Sequence, residues 1–247
     1  MIRQNTPHRA QAMAAKARVR YGLNGVEPID VFKIYTMASI ACILKPLESK
    51  VSGIFLRAES VEIVLVNSSK SLGHQRYTMA HELYHAMYDR SLEGRACVID
   101  GSTENEKLAD FFATNFLIPE EGVRLQLNDR LGSREEIEVH DVIHLEQLFG
   151  VSHSAMLSRL EQLEIIDKST KEIFRPNIRI QAREYGYDDS LYVPTNETKI
   201  ISDYAEKAKL AFDKSLITFS KYEELLSDAG ILEAIYGDGE EVVDFVD

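Results

Sequence analysis

Apolar residues recur at helical spacing over residues 8–22, and Gly22 and Gly25 end the repeat. Asp30 stands where a helix cap belongs, ahead of Val31, Ile34, Tyr35 and Ala38 at spacings of three, one and three. Three short apolar runs then predict strands over 41–47, 53–58 and 61–66, with the break at Glu59-Ser60 predicting a hairpin between the last two. After a polar stretch over 67–74, helical periodicity returns over 75–89 and again over 104–117, which Pro119 follows closely. Residues 90–103 read as loop. Two amphipathic helices, 139–149 and 153–165, flank Gly150-Val151-Ser152. Beyond them, 171–194 reads as mixed with strand-like stretches, 198–212 and 219–235 as helices, and the acidic tail 237–247 as frayed. The order predicts an α+β protein with a small sheet and several helices.

Composition narrows the function classes. Hydrophobic residues make up 45% and charged residues 28% of 247, an ordinary globular mix. The net charge of −12 argues against a protein built to grip nucleic acid phosphates, and equally against an anionic membrane surface as partner. Cys42 and Cys97 are isolated, which excludes cysteine zinc fingers and fits a reducing cytoplasm. The longest apolar neighbourhood, around 35–44, is too short to span a membrane. Arg3, Arg9, Lys16, Arg18 and Arg20 precede any acid, and their Ala-rich spacing favours a basic helix of the mature fold over a transit peptide. No apolar run follows them, so neither a secretion signal nor a digestive role is expected.

The chemistry is concentrated in His81-Glu82-Leu83-Tyr84-His85. Residues four apart on a helix lie about 40° apart around its axis, so both imidazoles can face one divalent ion. Glu82 is offset by roughly 100° from His81, close enough to take a proton from metal-activated water without binding the metal itself. Met79, Leu83, Ala86 and Met87 are expected to form an opposite, core-facing side. A tetrahedral catalytic site needs a third protein ligand. The extended HExxHxxGxxH pattern fails, because Tyr88 and Ser91 occupy its Gly and His places. A carboxylate from the next helix can serve, with Glu106 as metal ligand and Glu104 as competitor. Asp110, four residues on, would accept the second N–H of a ligand histidine, and Ala109 and Ala113 would allow the two helices to approach.

These residues resemble a known family. Arg76-Tyr77-Thr78-Met79-Ala80-His81-Glu82-Leu83-Tyr84-His85 is similar to the R-[FY]-T-x-A-H-E-x-x-H of the ImmA/IrrE metallopeptidases. The run Glu106 to Ala113 and then Phe116-Leu117-Ile118-Pro119 is similar to that family's E-x-x-A-[ND]-x-F-A…L-[LM]-x-P. Weaker likeness extends upstream through Pro28 to Val31, Gly53 and Val64 to Asn67, and downstream through Phe149 to Ser152 and Arg159-Leu160. The resemblance spans roughly 20–166 and is specific over 76–119. It implies a gluzincin-like α+β fold; with the helical spacing over 139–165 and the mixed pattern beyond it, the expected architecture is a zincin-like metallopeptidase core followed by a helix-turn-helix-like segment and a C-terminal α/β extension. It implies His81, His85 and Glu106 as metal ligands and Glu82 as the catalytic glutamate; for such a two-histidine, one-glutamate donor set zinc is the default metal, with manganese the alternative. It further implies cleavage of a partner helix-turn-helix repressor in mobile elements, prophages or stress responses. Tyr84 departs from the family's frequent Gly, and a larger side chain at the cleft edge would narrow access.

The expected division is 1–120 for the peptidase core with its N-terminal helices, 121–170 for the helix-turn-helix-like segment and 171–247 for the extension. Candidates for stabilising an oxyanion are Tyr77, Tyr84, His74 and Arg76. An exposed strand among residues 41–66 would bind the substrate chain by pairing with it. His140-Asp141-Val142-Ile143-His144 repeats the HxxxH spacing with an acid second, but without a following ExxxD helix it reads as a partly exposed helix face. The segment 139–165 reads as a packing or partner-recognition module, since Arg159 is outnumbered by Asp141, Glu146, Glu161 and Glu164. Two other functions compete with a protease: a non-catalytic regulator with a structural metal, and a toxin–antitoxin component.

Overall fold

The structure is a computed structural model that describes residues 6–58, 61–89, 96–98 and 103–229. Helix α1 (Thr6–Arg20) and helix α2 (Val31–Ala38) lead into strands β1 (Ala41–Lys45), β2 (Gly53–Ala58) and β3 (Val61–Asn67). Helix α3 (Leu72–Tyr88), strand β4 (Ala96–Val98) and helix α4 (Glu104–Leu117) follow. Then come α5 (Glu120–Leu131), α6 (Val139–Phe149), α7 (His153–Gln162), α8 (Lys168–Phe174) and α9 (Ile178–Glu184). A 3₁₀ turn (Ser190–Tyr192), β5 (Lys199–Ile201), α10 (Tyr204–Asp213) and α11 (Phe219–Asp228) complete the order. The α+β expectation holds.

The chain forms two compact units, Met1–Ile201 and Ser202–Asp247. In the first, five strands run in the order β4-β2-β3-β1-β5. Strands β1 and β3 are parallel, with Cys42 opposite Val64, and every other pair is antiparallel. Alternation puts Cys42, Leu44, Val64 and Val66 inside with Phe55. The core they form continues through α3 and α4 to Val142, Leu145, Phe149, Met156 and Leu160 of α6 and α7. In the second unit, α10 and α11 pack through Ala208, Tyr222 and Leu226.

Local chemistry explains the element ends. Asp30 accepts from the N–H groups of Phe32 and Lys33, so it caps α2 as its position suggested. Thr103 does the same for α4 through the N–H of Glu106. Gly150, at φ 64°, takes the left-handed conformation that stops α6, and Ser152 then caps α7. Alanines 10, 14 and 17 give α1 a smooth buried stripe, and α1 lies against α4. Arg18 anchors that corner by donating to the carbonyls of Asn24, Phe116 and Glu27.

Several expected elements differ. Helix α3 begins at Leu72, so the polar stretch 67–74 supplies its first turn. The stretch 90–103 contains β4, and β5 lies inside the expected helix 198–212. Three-residue strands carry too few positions to show a period, and the edges of β2 and β1 organise them. Residues 171–194 hold α8, α9 and the 3₁₀ turn, with no strand. Helix α5 occupies a stretch with no expected element. The turn at Glu59-Ser60, Arg3, the side chain of Cys97 and the tail 237–247 lie outside the described residues.

The stretch 186–201 ties the C-terminal part of the first unit to the start of α3. Leu72 N–H donates to Val193 O at 3.0 Å, Gln75 Nε2 to Thr195 Oγ1 at 3.1 Å, and Asn196 N–H to Ser68 O at 3.0 Å. No described helix is long and apolar enough to cross a membrane.

Candidate metal centre

Helix α3 is buried on nearly every side. Met79, Leu83, Ala86 and Met87 pack in or against the core as expected, and His81, Glu82, Tyr84 and His85 are buried as well. The sheet covers one side and α4 the other. The expectation for Tyr84 is corrected: rather than edging a cleft, it is buried among Tyr88, Phe112 and the edge of the His85 ring.

His81, His85 and Glu106 converge, all three buried. His81 Nε2 is 3.1 Å from Glu106 Oε2, and His85 Nε2 is 3.4 Å from Glu106 Oε1. The two Nε2 atoms are 3.3 Å apart. Ligand atoms around a tetrahedral ion with bonds of about 2.0–2.1 Å are separated by about 3.3 Å. The three separations therefore fit a divalent cation, and two imidazoles plus a carboxylate are a donor set zinc accepts. Glu104, the competitor, is exposed at the first position of α4.

Glu82 is the anomaly of the centre. It is fully buried, and neither carboxylate oxygen has a hydrogen-bond partner among the described residues. Burial pushes its pKa up to about 7, with Glu106 adding to the rise and the two histidines opposing it. A buried acid without partners is costly, and such groups mark functional sites. The backbone is fitted to it. A Cβ on Gly53, the first residue of β2, would lie 2.5 Å from Thr78 Cγ2 and 2.8 Å from Glu82 Oε1. Only glycine lets the strand run this close to the glutamate.

Around this cluster, Asp110 Oδ1 lies 2.9 Å from His81 Nδ1. Burial works against a charge on His81, but the bonds to Asp110 and Glu106 and the field of Glu82 raise its pKa to about 9. Negative charge is thus in excess, which is the condition for holding a cation. Asp89 was not foreseen. Its Oδ2 lies 3.3 Å from His85 Nδ1 and accepts from Asn105 Nδ2 at 3.0 Å. The only signal in the sequence was an acid four residues after His85.

The four oxyanion candidates fall in different places. Tyr77 OH donates to Asp110 O and meets Thr114 Oγ1, both at 3.0 Å. Arg76 donates to Ile29 O and lies against Gly150 and Phe32. Tyr84 is in the aromatic core. His74 Nε2 is 2.8 Å from Ser52 Oγ, and burial and Lys70 lower its pKa. His74, Tyr77 and Asp110 line a cleft of about 500 Å³ together with Ser152, Ala155 and Ser158 of the α7 region. Arg159, also on this cleft, is 3% exposed and donates to Ile118 O, Asn115 Oδ1 and Gln162 Oε1. None of β1, β2 or β3 is an edge strand, which corrects the expectation of an exposed strand among residues 41–66.

A mixed α+β fold with a His/His/Glu cluster and an unpaired glutamate beside it is the architecture of a metallopeptidase. Residues 39–161 match the peptidase M78 family, described as the IrrE N-terminal-like domain. The chain carries a domain of that family, as the resemblance implied. No curated protein matches the chain.

Proposed function

We propose that the protein is a zinc-dependent endopeptidase that cleaves a partner helix-turn-helix transcriptional repressor in the cytoplasm. The observation that carries the catalytic reading is the buried Glu82 carboxylate, without a hydrogen-bond partner among the described residues, beside His81, His85 and Glu106. A structural metal site has no use for such a group, which disfavours the non-catalytic reading; a cleavage assay with the cognate partner separates the protease from the toxin–antitoxin reading. His81, His85 and Glu106 hold the metal, with manganese the alternative to zinc. The ion, when bound, supplies Lewis-acid polarisation of the scissile carbonyl and acidifies the attacking water.

The chain's own residues do the rest. Glu82 takes the proton of the attacking water and passes it to the leaving amine, a task suited to a carboxyl whose pKa burial has raised towards neutrality. Asp110 accepts the Nδ1 proton of His81 and keeps its Nε2 lone pair on the cluster. Of the four oxyanion candidates, His74 and Tyr77 line the cleft while Tyr84 and Arg76 are committed to the fold; we favour His74, because the Tyr77 hydroxyl is already spent on the Asp110 carbonyl. We keep the functional division into core (1–120), helical segment (121–170) and extension (171–247), with the second walling the cleft. The helix-turn-helix partner, regulation of transcription and a mobile-element setting rest on the family domain alone.

The experiment incubates the zinc-loaded protein with the helix-turn-helix repressors of the same genome and reads fragments by intact-mass spectrometry. One discrete cut is expected. Glu82→Gln should retain zinc and lower the rate roughly 10²–10⁴-fold. Undiminished cleavage by that variant would overturn the mechanism, and no cleavage by the zinc-loaded protein would overturn the peptidase reading.

A further inference from the structure

The two histidines of the cluster each lean on a carboxylate, but the supports differ. Asp110, beside His81, has a side chain 50% exposed. Asp89, beside His85, has a side chain 5% exposed. Asp89 is also the residue that ends α3, its N–H donating to His85 O at 3.1 Å. An acid at this end of a helix is opposed by the negative pole of the helix dipole. Its surroundings answer that cost. Arg57 of β2 donates from Nη1 to Asp89 O at 2.8 Å and from Nη2 to Ala86 O at 2.5 Å. Arg57 is itself fixed by Glu62 of β3 at 2.7 Å. From the other side comes Asn105, whose Nδ2 reaches Asp89 Oδ2. Asn105 directly precedes Glu106 on α4.

We propose that Asp89, Asn105 and Arg57 form a brace that sets the tautomer and aim of His85 and its distance from Glu106. Asp89 is thereby a positioning residue for the metal, and the proposal rests on the metal-site reading above. His85 Nδ1–H donates to Asp89, so the Nε2 lone pair faces the cluster. Asn105 joins this support to the first turn of α4, so one side-chain contact links the last turn of α3 to the turn that carries Glu106. Arg57 anchors the whole to the sheet by holding the terminal carbonyls of α3. A ligand histidine and a ligand glutamate on separate helices are thus held in register by a residue that touches no metal.

The test measures the zinc dissociation constant of the full chain by competition with a chromophoric chelator, for the parent, Asp89→Asn, Asn105→Ala and the double variant. Asp89→Asn should weaken zinc binding about 10–100-fold. Asn105→Ala should weaken it several-fold, and the double variant by less than the product of the two. Nitrogen NMR of the zinc-loaded protein gives a second readout. The His85 Nδ1–H signal should move in both single variants and the His81 signal should not. Asn105→Ala leaves Asp89 and the core in place, so it decides the question if Asp89→Asn does not fold. Zinc binding by a folded variant as tight as by the parent, with an unmoved His85 signal, would overturn the brace. A parent that binds no zinc would overturn the metal-site reading, and the brace with it.

Discussion

Helices α3 and α6 both carry histidines four apart with an acid after the first, His81-Glu82-x-x-His85 and His140-Asp141-x-x-His144. In α3 the two Nε2 atoms meet at 3.3 Å and the acid has no hydrogen-bond partner among the described residues. In α6 the histidines turn to separate neighbours. His140 faces Glu138 and Asp141, while His144 faces Gln126 and the Tyr187 hydroxyl. Asp141 is fully buried but saturated. It accepts from Arg130 at 3.3 Å, from both Arg134 Nη atoms at 2.9 and 3.0 Å, and from the Glu138 N–H at 3.0 Å. Spacing on a helix therefore does not make a site. A second helix must bring a third donor, and the acid must be left unspent. In α3 the acid is available for chemistry, whereas in α6 it stabilises a helix start.

This contrast can be broken most sharply by removing the first histidine of each pair. His81→Ala should weaken zinc binding about 10²–10³-fold, a quarter of the roughly 10–16 kcal/mol that a four-ligand site supplies. His140→Ala should leave zinc binding unchanged and stability within about 0.5 kcal/mol, as chelator competition and urea unfolding would report. The next effect is smaller and separates metal from acid. Gly53→Ala should push against Glu82 and Thr78, lowering kcat by about 10-fold or more while zinc affinity stays, measured on the cleaved partner. The effect on the other helix falls on stability and spares the metal. Asp141→Asn should cost about 2 kcal/mol at pH 7 in urea unfolding, with zinc affinity untouched. Its pH dependence follows from the Asp141 pKa. Burial would raise it, but the bonds from Arg134 and the Glu138 N–H and the field of His140 hold it below the usual carboxylate value. A carboxyl lowered by folding stabilises at pH above its unfolded value and loses that contribution as pH falls through its folded value. The gap between parent and Asp141→Asn should therefore close below about pH 4.

Much of the centre was legible because its residues are bound to helical spacing. His81, Glu82 and His85 share one helix, and Glu106 and Asp110 share the next, both amply long enough to show a period. Asp89 escaped because its role is set by what surrounds it. One carboxylate after a helix looks like any other until Arg57 and Asn105 are seen around it. The same reason hid the burial of the middle of α3, from Thr78 to His85. Polar residues at His81, Glu82 and His85 imply an open face by composition, while α4 and the sheet enclose them. Tyr84 was placed at a cleft edge by comparison of side-chain size, and it packs against Phe112 because that enclosure leaves it no opening. The short strands β4 and β5 are set by partners distant in sequence, Ile54 to Leu56 and Cys42 to Leu44, and no local pattern records them.

The pairing of β5 with β1 bears on when the protein can work as it leaves the ribosome. Cys42 is opposite Ile201, so the sheet laid down early stays one strand short until the chain has grown past the whole helical segment. Until then the outer edge of β1 offers unpaired backbone groups to any neighbouring chain. The start of α3 waits on the same stretch, since Leu72 and Gln75 bond to Val193 and Thr195. The helix bearing the histidines is thus secured by residues translated long after it, which delays a competent site until synthesis of the first unit is finished.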